Sequence, residues 1–381
     1  MSETAVAADQ SLSIPRDRPP AGVTGPWAWA RSNLFGSWLS TAITLVLVYV
    51  ILRIAMGVIS WGLLHAIWHV PYDAKGVPDT SACLNAKGYG ACWAVIADKY
   101  RLILFGRYPY QDQWRPALCV VLFISLYVIS AIRWFWRPAL ALVWVATLAV
   151  IGMLMWGGVL GLRYVPEDVW GGLPLTLIIA TFGLAFAFPL AVLVALGRRS
   201  TNLPAVRMLC VLYVELIRGV PLVALLFMAS VMFPLFMPEG VNVNSLLRVE
   251  VAVILFVAAY VAEVIRGGLQ ALPKGQSEAA DALGLTYWHK TGFIILPQAL
   301  RMVIPPLVNT FIGFFKDTSL VLIVGMFDLL MMGKVALSDP PWQSFSSEVY
   351  VFLALIYIAF CYAMSKYSRG LERDLDRARR R

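Results

Sequence analysis

The sequence predicts an all-α polytopic membrane protein with about eight transmembrane helices. Three observations carry that expectation. The 381-residue chain is 60% hydrophobic and only 14% charged, with a mean hydropathy of +0.74, far from the charge content of a water-soluble domain. Runs of about 20 apolar residues, each long enough to cross a bilayer's hydrocarbon core, recur along it. The alternating pattern of an outer-membrane barrel is absent, and in lipid an apolar run satisfies its own backbone groups only as a helix.

Residues 1–36 are rich in Pro and small polar residues and read as a disordered cytoplasmic tail. They lack a secretory pattern, and the apolar run after them is too long for a signal peptide, so it is expected to remain as the first span. Spans are expected near 38–63, 115–134, 138–162, 172–196, 206–236, 249–271, 299–326 and 349–366. The fifth is too long for one simple span. Its first half, through Gly219 and Pro221, reads as an interfacial helix that then turns into the membrane. Residues 37–169 thus form an accessory three-helix region whose long outside loop, 65–113, carries no readable motif. Residues 170–371 hold the remaining spans, and 372–381 form a basic cytoplasmic tail.

Basic residues set the orientation. With the N-terminus in the cytoplasm, the inside segments hold most of the 31 Lys and Arg residues, among them Arg198, Arg199, Lys274, Lys290 and the cluster after Lys366. Both termini are therefore expected inside. The formal charge of +9 is mostly topology, and the basic tail reads as a contact for the lipid bilayer's anionic headgroups, with no nucleic acid partner. Of five cysteines, Cys83 and Cys92 share the outside loop. In an oxidising compartment they can close a short disulfide loop, and otherwise they are two free thiols. Cys119, Cys210 and Cys361 sit in apolar surroundings as packing residues. His65 and His69 are spaced i, i+4, but no third ligand accompanies them, so they read as an interfacial polar pair and no metal site is expected.

Glu278 to Pro297 is the most informative stretch. Pro273, Lys274 and Gly275 end the sixth span. Ser277 is expected to cap a new short helix, with Glu278 in its first turn where the helix dipole favours a carboxylate. Ala279, Ala280 and Leu283 are expected to make one small apolar face, and Gly284 to supply a left-handed stop. Thr286 is then placed to cap a second short helix with Trp288, His289 and Lys290. Such a rigid helix–turn–helix between two spans can transmit a push. Polar residues inside the spans add two candidates. Glu263 with Arg266, and Glu215 with Arg218, are spaced i, i+3 and are expected to pair, either as clamps between helices or as an inner gate. In the seventh span, Pro305 and Pro306 are expected to break the hydrogen-bond ladder. Asn309, Gly313, Lys316 and Leu320 then line one face, and Lys316, Asp317, Thr318 and Ser319 interrupt the apolar run. Charge at that depth faces a cavity or a partner. Lys316 and Asp317 with exposed N–H groups suit a zwitterion; they also suit a purely structural pair.

Glu278-Ala279-Ala280, Gly284, Ile294 and Leu296-Pro297 have the spacing of the EAA loop in the membrane subunits of bacterial ABC importers. Tyr213 to Pro221, Ala262 to Gly268, Pro273 to Gln276, Leu296 to Arg301, Pro305 to Asn309 and Phe315 to Leu320 resemble the polar amino acid permeases of that class. Together these segments cover most of 170–371. The additional spans before them are similar to the general L-amino acid permease group. Asp281 departs from the pattern, which often has a basic residue there. The resemblance implies a type I importer fold with a five-helix permease core, multi-pass in the bacterial inner membrane. It implies a second homologous permease subunit, two ATPase subunits, a periplasmic amino acid-binding protein and an L-amino acid substrate. Glu278, Ala279, Ala280, Leu283 and Gly284 would then couple to the ATPase, and Asn309, Gly313, Lys316, Asp317 and Thr318 would line the substrate pathway. No G-x-x-x-x-G-K-[ST] segment is present, so no cofactor is expected on this chain; ATP-Mg would be used by the partner. The competing reading is an ion-gradient-driven secondary amino acid transporter, which needs no docking loop. A membrane-bound enzyme is disfavoured, since no triad, metal cluster or nucleotide loop can be read.

Overall fold

The computed structural model describes residues 25–241 and 243–379. The described residues divide into two compact units, one of residues 25–67 with 85–91 and one of residues 68–84 with 92–241 and 243–379.

In the first unit, α1 spans Pro26–Leu34 and α2 Trp38–Ile59. Part of the segment read as a disordered tail is therefore a helix. Pro26 in the first turn presets the backbone there, and the residues before 25 lie outside the described ones. Ser37 Oγ accepts from Ser40 N at 3.2 Å and caps α2. The hydroxyls of Ser40 and Thr44 donate to the Leu34 carbonyl at 3.0 and 2.9 Å, closing the α1–α2 corner. No residue of α2 is buried, so its apolar side chains are left for lipid. A π turn, Ser60–Leu64, follows, and His65 Nδ1 lies 3.0 Å from Ser60 Oγ.

The second unit holds the remaining helices. They are α3 (Ser81–Asn85, shared at its last residue with the first unit), α4 (Ala94–Phe105), α5 (Trp114–Ala131), α6 (Ala139–Trp156) and α7 (Gly172–Arg198). Next come α8 (Pro204–Gly219), α9 (Leu222–Phe227), α10 (Phe233–Leu235), α11 (Ser245–Ala271) and α12 (Lys274–Ala282). Last are α13 (Tyr287–His289), α14 (Leu296–Asp317), α15 (Leu329–Leu337) and α16 (Ser346–Arg379). Among the described residues, seven helical stretches are long and apolar enough to cross a membrane, and the pair α8 and α9–α10, bent by 102°, makes up to eight. That bend falls at Val220-Pro221, where the fifth stretch was expected to turn. The protein is an all-α multi-pass membrane protein.

Its core is α7 lying along α11, with α14 against α11 and α16 against α14. Leu173 to Thr181 of α7 are buried without a break. The three-helix contact needs a small residue at Gly183, where a Cβ would lie 2.8 Å from Val253 Cγ1 and 3.1 Å from the Phe314 ring. Elsewhere the backbones touch directly. A Cβ on Gly106, after α4, would lie 2.5 Å from Gly171 Cα, so the end of α4 meets the start of α7 without an intervening side chain.

The third span stops at Trp156 rather than near 162. Arg115, fully buried, donates to the Leu154 and Arg163 carbonyls at 2.6 and 2.8 Å. A cation there satisfies carbonyls that the end of α6 leaves free and opposes the negative end of its dipole. The 65–113 loop, which offered no motif, is anchored. Cys83 and Cys92 form a disulfide, and Cys92 N donates to Glu348 Oε1 at 3.0 Å. Trp342 Nε1 donates to Asp98 Oδ2 at 2.8 Å, and Lys99 pairs with Asp339 at 2.7 Å. Helix α4 thereby packs against α15 and α16.

Candidate coupling hairpin and ion-pair cluster

The chain leaves α11 at Leu272 and enters the hairpin through Pro273, whose φ of −59° suits the residue before a helix. Helix α12 therefore begins at Lys274, and Ser277 lies inside it with no capping bond. This corrects two expectations: Ser277 is not the cap, and Glu278 sits in the second turn, beyond the first-turn dipole site. The expected single face of Ala279, Ala280 and Leu283 is also split. Ala280 is buried against the following π turn, whereas Ala279 and Leu283, one helical turn apart, are exposed. Leu283 is 77% exposed, an apolar side chain offered outward.

The stop is where the glycine predicts it. Gly284 has φ +71°, Gly284 N donates to the Asp281 carbonyl at 2.9 Å and Leu285 N to Ala280 at 3.2 Å. That is the Schellman pattern, which only a residue tolerating the left-handed region closes without strain. Thr286 occupies the cap position of α13, but its hydroxyl bonds His289 Nδ1 at 2.7 Å instead of a backbone N–H. Lys290 begins a π turn, Lys290–Ile295, rather than extending α13. Two contacts tie the limbs. Lys290 Nζ meets both carboxylate oxygens of Asp281 at 2.7 and 2.9 Å, and Gln298 Nε2 donates to Gln276 Oε1 at 3.2 Å. Asp281, the departure from the family pattern, thus has a partner within the hairpin.

Next to the hairpin, at the same end of α11, four charges meet. Glu263 and Arg266 pair as the spacing predicts, with Arg266 Nε donating to Glu263 Oε2 at 2.9 Å. Glu215 and Arg218 do not pair. Arg198, at the end of α7, donates to Glu215 Oε1 at 2.9 Å and to Glu263 Oε2 at 2.8 Å. Arg218 instead lies over the Tyr260 ring, 5.4 Å from its centroid. The reason is geometric: Arg198 reaches in between α8 and α11 and offers Glu215 a partner whose second contact is also favourable. The sequence marks Arg198 only as a cation directly after an apolar run.

In α14 the helix continues through Pro305 and Pro306, contrary to the expected break. Thr310 Oγ1 donates back to the Pro306 carbonyl at 2.9 Å, while the carbonyls the prolines leave without an N–H are those of Arg301 and Met302. The regular ladder changes at Thr318, where a 3-10 segment, Thr318–Val324, begins. Asn309 and Lys316 are exposed, and a Cβ on Gly313 would meet nothing within 4 Å, so these three share an open face. Thr318 does not share it; it is buried and donates to the Phe315 carbonyl at 2.8 Å. Among the described residues Lys316 and Asp317 make no ion pair with each other or with another residue. Glu250, which no motif marks, is buried in α11 with both carboxylate oxygens unpartnered.

Residues 187–377 match the family described as "Binding-protein-dependent transport system inner membrane component". Over 92% of this chain and 93% of its own, the chain is 47% identical to the "Inner membrane amino-acid ABC transporter permease protein YhdY" of Escherichia coli (strain K12). It is 38% identical, over the full length of both, to the "Glutamate/glutamine/aspartate/asparagine transport system permease protein BztC" of Rhodobacter capsulatus. A chain of the solved structure "Crystal structure of an amino acid ABC transporter with histidines" aligns with 52% of this chain and 90% of its own, at 30% identity and a TM-score of 0.46. This chain belongs to the family of binding-protein-dependent transport system inner membrane components and is a multi-pass inner membrane protein.

Proposed function

We propose that this chain is the permease subunit of an ATP-driven ABC importer that moves L-amino acids from periplasm to cytoplasm by alternating access. The observation that carries the proposal is the hairpin: a Schellman-closed helix with Ala279 and Leu283 exposed, braced by Asp281–Lys290 and joined without a flexible linker to α11 and α14. A short apolar knob on a rigid mount suits a groove in a separate motor. The names of YhdY and BztC support amino acids as cargo.

In this reading both termini and the hairpin are cytoplasmic. Residues 37–169 are accessory, and 170–371 are the permease core. A second homologous permease completes the pathway, a periplasmic binding protein delivers the amino acid, and two ATPase subunits grip the Glu278–Gly284 segments. This chain binds no cofactor; ATP-Mg belongs to the partner. Closure of the ATPase dimer draws the two hairpins together and tilts the bundles outward-open, and only the differential affinity of ATP for the closed dimer drives that shift. The Arg198–Glu215–Glu263–Arg266 cluster then serves as an inner clamp whose pairings change as the helix ends move. Asn309, Gly313, Lys316 and Asp317 contribute to the pathway, with Thr318 holding the local backbone.

Uptake of labelled amino acids into vesicles carrying the assembled complex tests the proposal. Uptake is expected to need ATP on the hairpin side and to persist with ion gradients collapsed. Uptake driven by a gradient without ATP would favour the secondary transporter instead.

A further inference from the structure

At the end of α11 opposite the hairpin, about 40 Å away along its 27 residues, an open cleft of about 610 Å³ lies between the starts of α7 and α11 and the turn at 325–327. That volume is in the range of small-molecule sites. Four charged side chains line it: Arg107, Glu167, Asp168 and Arg248. Glu167 is engaged, accepting from Trp156 Nε1 at 3.2 Å and from Asn244 Nδ2. Among the described residues none of the four is in an ion pair. Asp168 has no hydrogen bond or ion pair among the described residues. Arg107 lies over the Phe327 ring at 3.7 Å, which leaves its N–H edge uncommitted. Arg248 donates from Nη1 to the Ser230 carbonyl at 2.6 Å, while its buried Nε has no partner.

Charges of opposite sign that share a cleft without pairing select a ligand with both signs. A simple anion would be repelled by Asp168 and a simple cation by the two guanidiniums. We propose that this cleft binds the zwitterionic head group of a free α-amino acid, its carboxylate on Arg248 and Arg107 and its ammonium on Asp168. The proposal rests on the amino acid importer reading and adds an outer holding site to it. None of the α14 pathway candidates lines this cleft. Arg107, Glu167 and Asp168 all precede the 187–377 family match, so the accessory region supplies the lip of the site.

The test uses the full chain in lipid nanodiscs with Ser245→Cys, a position that lines the cleft. Labelling by a methanethiosulfonate reagent is timed with and without a mixture of the standard L-amino acids from which cysteine, whose thiol would consume the reagent, is left out. At a free concentration about ten times its Kd the mixture is expected to slow labelling roughly tenfold. Asp168→Asn, a near-isosteric change at an exposed position of the 3-10 turn Glu167–Val169, and Arg248→Gln are each expected to abolish the protection. Deaminated acids or decarboxylated amines should give none, and Ser338→Cys, outside the cleft, should label equally in all conditions. Unprotected labelling, or protection that survives Asp168→Asn, overturns the proposal. ATP-dependent uptake that persists beside unprotected labelling removes the cleft and keeps the importer; protection without ATP-dependent uptake does the reverse.

Discussion

Arg198 donates to Glu263 at 2.8 Å and to Glu215 at 2.9 Å, so one guanidinium at the end of α7 ties α8 to α11. The two contacts differ in solvation. The Arg198 side chain is 11% exposed and that of Glu263 25%, whereas Glu215 is 61% exposed. Double-mutant cycles read by thermal unfolding should therefore give about 1.5–3 kcal/mol for Arg198 with Glu263 and ~0.2–1 kcal/mol for Arg198 with Glu215. Equal couplings would mean that Arg198 is not buried between the helices as described.

The φ of +71° at Gly284 gives a graded prediction. Gly284→Ala meets no steric neighbour but holds a strained backbone, and should weaken the hairpin by about 1–2 kcal/mol with uptake reduced. Gly284→Asp adds charge at the turn and should abolish ATP-dependent uptake while the chain still reaches the membrane. Normal transport by the Asp variant would count against the hairpin as the coupling element.

Asp328 caps α15, accepting from Leu330 N and Met331 N at 3.1 and 2.9 Å, and it is fully buried. Burial pushes its carboxyl up to about 6, against the pull of those N–H groups. The protonated form is thus favoured by folding. The stability it contributes is complete below about 3.8 and is lost as pH rises through about 6, on the order of 3 kcal/mol in all. Asp328→Asn keeps a capping oxygen and cannot ionise. Thermal unfolding of the variant should lose that dependence between pH 4 and 6, and an unchanged slope would assign it to another group.

The disulfide between Cys83 and Cys92 closes a loop with a sequence separation of 9, beside the Cys92–Glu348 contact. Reduction should lower stability by about 2–3 kcal/mol through the freed loop. Calorimetry with and without reductant measures it, and identical melting temperatures would show that the Asp98–Trp342 and Lys99–Asp339 contacts hold the loop alone.

Much of this architecture is legible in the chain because membranes simplify the problem. An apolar run of span length has one viable conformation, and Gly284 announces its turn by being the residue that tolerates it. What stayed hidden depends on distant partners. Arg198 meets Glu215 and Glu263 at separations of 17 and 65 residues, which no local spacing encodes. Asp98 finds Trp342 across 244 residues, so the 65–113 loop had no motif to show. At the hairpin two local signals competed, and Pro273 set the start of α12 ahead of Ser277. In α14 the helix runs on through Pro305 and Pro306, so the break that two consecutive prolines predict does not occur.

The central claim is that the exposed apolar side of α12 is held by a separate ATPase. A photo-crosslinker placed at Leu283 in the assembled complex tests it directly. The account predicts one dominant adduct, to the ATPase subunit, whose yield changes between ATP and ADP. An adduct to lipid alone, or labelling of that position by a membrane-impermeant reagent from the periplasmic side, would contradict it.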